Sequence, residues 1–157
     1  MNQPLVIAMM LLGAVPARAD ALDAAKGWLG ALRQKDASKL KAASGFPFTE
    51  AGIGPGSGHC GKRAKAANAA EFSQASECMF ADQTFIEALP PEPTAKVVEL
   101  KSLQSATFKK NMKSLAPLAK DHQFVQTTLT GDGMSYEVLL AVKKGAVSLV
   151  LAENTAE

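Results

Sequence analysis

Ala21, Leu22, Ala25, Trp28, Leu29 and Leu32 fall on one face of a helical projection of residues 21–34, with Lys26, Arg33 and Gln34 off it. The spacing predicts an amphipathic helix with Asp20 as its N-cap. A short second helix is expected over 37–43, after Asp36, with Gly45 closing it. The pattern then changes. Phe46-Pro47-Phe48-Thr49-Glu50-Ala51-Gly52-Ile53 alternates and reads as a strand, which Pro47 would confine to an edge or a strand start. Residues 52–61 form a glycine-rich loop. A helical stretch follows from about Lys62 to Leu89, with a break near Asn68 and an apolar face at Phe72, Ala75, Met79 and Ile86. Pro90, Pro91 and Pro93 stop it.

Residues 95–103 alternate again and predict a strand. Residues 105–121 are mixed: Phe108, Met112, Leu115 and Leu118 have helical spacing, and Pro117 breaks it into a short helix and a connection. The C-terminal part is a three-stranded meander, Phe124–Leu129, Ser135–Val142 and Val147–Ala152, joined by Gly-containing turns. Helices ahead of an antiparallel meander predict an α+β domain, with the N-terminal helices packed on one face of a curved sheet.

The beginning of the chain reads as an address. Leu5–Val15 is apolar and uncharged but too short to span a bilayer, which takes about 20 residues. Ala17 and Ala19 then make a small-x-small cleavage site, although the n-region Met1–Pro4 carries no Lys or Arg. The expected organisation is a signal peptide over 1–19, cleaved before Asp20, and one domain over 20–157, secreted or periplasmic. The 157 residues suffice for one core. Apolar residues make up 47% and charged residues 20%, which excludes a disordered chain. The net charge of +2 falls further when Arg18 leaves with the leader, so nothing drives the chain toward nucleic acid or an anionic membrane. In an oxidising compartment the two cysteines, Cys60 and Cys78, are expected to pair, closing a loop that contributes ~3 kcal/mol. With only His59 and His122 beside them, no common zinc pattern is met, and no metal or cofactor is expected.

The helix ending Leu29-Gly30-Ala31-Leu32-Arg33-Gln34-Lys35-Asp36, the short helix leading into Gly45-Phe46-Pro47-Phe48, and the meander around Gly131-Asp132-Gly133 together resemble the nuclear-transport-factor-2-like (cystatin-like) superfamily, which also contains ketosteroid isomerase and the polyketide cyclases. The resemblance covers most of residues 20–153. It implies a cone: helices in the concave face of a curved antiparallel sheet, often around an apolar pocket. Trp28, Phe48, Phe124 and Tyr136 are the candidate pocket-lining residues, with Phe46 beside them; Trp28 and Tyr136 each carry a polar tip. Catalytic members of the isomerase type use a Tyr on the first helix, where this chain has Trp28.

Other motifs carry less. Gly56-Ser57-Gly58-His59-Cys60-Gly61 matches G-x-G-x-x-G, but the acid about twenty residues on, Glu77, falls inside a helical stretch and no parallel βαβ pattern follows. Ser57, His59 and His122 lack a nucleophile-elbow context; the first two read as loop residues and His122 as a surface turn residue after Asp121. Lys62, Arg63 and Lys65, and Lys109, Lys110, Lys113 and Lys120, read as solvated faces without the aromatics that stack bases. The expectation is an exported domain, without a catalytic residue, that binds a small apolar ligand or a protein partner, with no nucleic acid and no stable membrane insertion after cleavage. The alternative is a cyclase, isomerase or dehydratase using a carboxylate in the cone, with Glu50, Asp82, Glu99 and Glu137 as the acids to examine.

Overall fold

The computed structural model describes residues 14–53, 63–103, 106–131 and 133–155. Helix α1 (Ala14–Arg33) runs through the expected Ala19–Asp20 cleavage bond, so Asp20 lies within the helix and does not cap it. Its buried face carries Ala21, Ala25, Trp28, Leu29 and Leu32, as the periodicity predicts. Lys35, at φ 54°, ends the helix: its N–H donates to Leu32 O and that of Asp36 to Ala31 O, the paired bonds of a Schellman turn. Asp36 then caps α2 (Ala37–Ala42) by accepting from Lys39 N at 3.1 Å. Gly45 does not terminate α2; Ala43 does, and Gly45 already belongs to strand β1 (Ser44–Ala51).

The largest departure from the periodicity lies in the predicted helix over 62–89. Arg63–Ala66 forms strand β2, antiparallel to β1 with Glu50 opposite Ala64 and Phe48 opposite Ala66. Its composition favours a helix, but pairing with β1 satisfies its backbone and outweighs that weak preference. Asn68 marks the real helical start, accepting from Glu71 N at the head of a 3-10 turn. Helices α3 (Phe72–Phe80) and α4 (Gln83–Ala88) follow, separated where Asp82 accepts from Phe85 N at 3.1 Å. Strand β3 is short (Ala95–Val98) and gives way to a 3-10 turn, Leu100–Ser102. Helices α5 (Ala106–Lys110) and α6 (Met112–Leu115) and a 3-10 helix, Ala116–Lys120, lead into β4 (Gln123–Gly131), β5 (Met134–Lys143) and β6 (Ala146–Asn154).

The six strands form one sheet in the order β2-β1-β6-β5-β4-β3, mixed because β1 and β6 are parallel. Pro47 is therefore not on an edge strand. It sits where the β1–β6 register slips between Ser44 and Thr49, ahead of the β2 pairing, so its missing N–H interrupts no regular ladder.

Helices cover both faces of this sheet, not one. Val125, Leu129, Tyr136, Val138, Leu140 and Val150 join Trp28, Phe48, Phe72 and Phe85 in the larger core. On the opposite face Phe124, Leu139, Ala141 and Leu151 pack with Leu103, Phe108 and Leu115. Every residue from Val138 to Val142 is buried, the continuous apolar run expected of a strand covered on both sides.

Candidate functional site

The 3-10 helix Ala116–Lys120 turns the chain back so that His122 N donates to Leu118 O at 2.9 Å. This brings the imidazole over the same carbonyl: Nδ1 lies 3.1 Å from Leu118 O and 2.6 Å from Asp121 Oδ1. Both partners only accept hydrogen bonds, so Nδ1 carries a proton, and in the neutral ring Nε2 is the acceptor. Ser148 Oγ lies 3.1 Å from Nε2, and its hydroxyl donates to the neutral ring. The His122 side chain is 9% exposed, so it is not the surface turn residue that its place after Asp121 suggests.

Ser148 reaches this position through a bulge. Ala141 pairs with Leu149 and Val142 with Val147, leaving Ser148 as the extra residue of β6. Val147 and Val150 consequently share one core, although an unbroken strand would send them to opposite faces. Asp121 is tied a second time, its Oδ2 lying 2.9 Å from Lys143 Nζ. The Lys143 ammonium first, and His122 after it, hold the Asp121 carboxyl below the usual carboxylate range.

A groove of about 360 Å³ opens beside these groups. Phe46, Pro47, Leu118 and Leu149 give it apolar walls, and His122, Ser148, Ser114, Thr49 and Lys143 give it polar ones. Its size is that of a small-molecule site.

A second cluster gathers acids at the larger core. Alternation along β1 puts Glu50 on the inward side with Phe48, and it is 1% exposed. One of its carboxylate oxygens accepts from Ile53 N. Burial pushes its pKa up to about 8; the Ile53 bond opposes this and the Asp82 charge adds to it, so the carboxyl is protonated at neutral pH. Tyr136, edge-on to Phe85, is raised by burial and then by the same Asp82 charge. Glu50 is not among the residues lining the groove at His122.

The remaining sequence-derived candidates are dispersed. Trp28 stacks near Phe48 in the larger core and donates from Nε1 to Ser44 Oγ at 3.0 Å. Tyr136 is in the same core, whereas Phe124 belongs to the opposite one. None of these four is among the residues lining the groove at His122. Glu99 is exposed and pairs with Lys101; Glu137 accepts from Gln126 and Thr128 of the neighbouring strand. Cys78 is buried in α3, while Cys60, Ser57 and His59 lie outside the described residues, as does the glycine motif and hence the Cys60–Cys78 pairing. Ser148 was not singled out by the sequence; the only signal was the lost alternation between Val147 and Val150. Among the described residues no helix is long and apolar enough to cross a membrane.

No family model matches the chain, and no curated protein matches it. Among solved structures it is similar to a crystal structure of a protein from Sphaerobacter thermophilus, at 13% identity and a TM-score of 0.42, over 87% of this chain and 97% of that one.

Proposed function

We propose that this chain is an exported α+β domain that binds a small, mainly apolar molecule carrying one hydrogen-bonding group, and that it does so in the groove at His122. The observation that carries the reading is a part-buried imidazole, held by Leu118 O, Asp121 and Ser148, beside a recess of about 360 Å³ walled by Phe46, Pro47, Leu118 and Leu149. Small-molecule sites combine such apolar walls with a few oriented polar groups. The space between α1 and the sheet is a poorer host, because Trp28, Phe48, Phe72 and Phe85 are fully buried against their neighbours.

Export, a Cys60–Cys78 bond and a nuclear-transport-factor-2-like cone belong to the same proposal. The Leu5–Val15 run and the Ala17-x-Ala19 ending support the first. Burial of Cys78 in α3 supports the second. A long helix against a sheet that ends in a three-stranded meander supports the third.

An enzyme working through a carboxylate is the second reading. Glu50 favours it, since a carboxyl protonated at neutral pH is a general acid. It ranks below the first because Glu50 closes onto its own turn at Ile53.

The test is amide shift mapping with phenol, benzyl alcohol and acetophenone as probes. Saturable shifts centred on His122, Ser148, Leu118 and Phe46, lost in His122→Ala, are expected. Saturable shifts confined to Glu50, Asp82 and Tyr136 would overturn the groove in favour of the carboxylate, and no saturable shift with any probe would overturn ligand binding at the groove.

A further inference from the structure

We propose that Asp121, His122 and Ser148 form a hydrolytic relay, with Ser148 as the nucleophile that cleaves small carboxylic esters held in the groove. The inference rests on the groove being the binding surface and adds a reaction to it. Three features support it together. The contacts run in the order carboxylate, Nδ1, Nε2, hydroxyl, at 2.6 Å and 3.1 Å. The acceptors on Nδ1 fix the tautomer in which Nε2 takes the serine proton. The bulge turns Ser148 out of the regular ladder, and Ser148 lines the groove wall beside His122.

In the first step Ser148 Oγ bonds to the ester carbonyl carbon as its proton passes to His122 Nε2 and the carbonyl π pair moves onto its oxygen, which returns it when the leaving group departs. The carbon–oxygen bond to the leaving group then breaks, and the departing alkoxide or phenoxide takes that proton. Water attacks the acyl-serine, giving a proton to Nε2. The Oγ–carbon bond breaks, the proton returns to Oγ, and the carboxylic acid leaves. Ser148 and His122 are the catalytic residues; Asp121 is a positioning residue that holds the imidazole in its tautomer, with Lys143 anchoring it.

The groove also limits the substrate class. Among its lining residues Thr49, Ser114 and Lys143 carry side-chain hydrogen-bond donors for a developing oxyanion. Such donors are less preorganised than a pair of backbone N–H groups, so amides, with their poor leaving groups, fall outside the range and phenyl or other activated short esters fall within it.

The test treats the full mature protein with a fluorophosphonate and locates the adduct by peptide mass spectrometry, followed by para-nitrophenyl butyrate hydrolysis. One adduct on Ser148 is expected, absent in Ser148→Ala and formed roughly a hundredfold more slowly in His122→Gln. Asp121→Asn should slow it and also change the imidazole tautomer signal, which a merely structural role would leave alone. Circular dichroism establishes that each variant is folded, and wild-type labelling stands whether or not a variant folds. No adduct at Ser148, or a rate indifferent to His122→Gln, overturns the relay. If the aromatic probes still bind at His122 in that case, the binding reading survives; if they do not, both fail.

Discussion

Ser148 Oγ stands 3.1 Å from His122 Nε2, although 26 positions separate the two residues in the chain. Two local devices on different elements make this contact. A 3-10 turn before β4 folds the imidazole back over Leu118 O, and one extra residue in β6 swings Ser148 out of its ladder. Neither device acts on the other, and the sheet that holds them is covered on both faces, so the contact is held by packed elements on each side.

Glu50 makes stability depend on pH with a defined sign. Its folded pKa, about 8, lies above the ordinary value of 4.5, so folding takes up a proton. The stabilisation is full below the unfolded pKa and is lost as pH rises through about 8, a swing on the order of 5 kcal/mol. Glu50→Gln keeps an acceptor for Ile53 N–H and removes the ionisation. Urea unfolding at a series of pH values should show a flatter profile for the variant and a more stable protein above pH 8. An unchanged slope would contradict the assignment.

Ser44 joins α1 to the end of α2. It accepts from Trp28 Nε1 at 3.0 Å and donates to Leu40 O at 2.7 Å, all within the core. Ser44→Ala leaves the indole N–H without a partner and should cost about 2 kcal/mol in urea unfolding. A loss smaller than about 0.5 kcal/mol would mean that water replaces the hydroxyl.

Gly52 is fixed by its surroundings. Its φ is +102°, and an added Cβ would meet Ala152 O at 1.8 Å. Gly52→Ala should lose about 3 kcal/mol or more. Gly145, at φ +77° with open space around it, should accept Asn with little change. Equal losses at the two positions would refute the close-approach argument.

The proposed Cys60–Cys78 bond should leave no alkylatable thiol in denaturant without reductant. Reduction should cost ~3 kcal/mol by the loop-entropy model. Two alkylated cysteines would exclude the bond.

Much of the frame is written in local pattern. The α1 face, the Asp36 cap and the β4–β6 meander depend on periodicity and turn chemistry within each segment. Strand β2 was hidden because Arg63–Ala66 becomes a strand only by pairing with β1. The second helical layer was hidden because Phe108 and Leu115 show helical spacing without showing which face of the sheet they meet. The site lay furthest from view. Asp121-His122 looks like any polar turn, and Ser148 acquires its partner only from a bulge whose register depends on β5. Glu50 was visible as an acid in a strand, but its burial depends on β2 and on the turn to Ile53.

The most direct measurement is the protonation pattern of the His122 ring, read by a long-range proton–nitrogen correlation spectrum in alkaline solution and assigned against His59 with a His59→Asn variant. The account predicts the Nδ1–H tautomer, with Nε2 unprotonated and its signal displaced when Ser148 becomes Ala. An Nε2–H tautomer, or an Nε2 signal indifferent to Ser148→Ala, would contradict it.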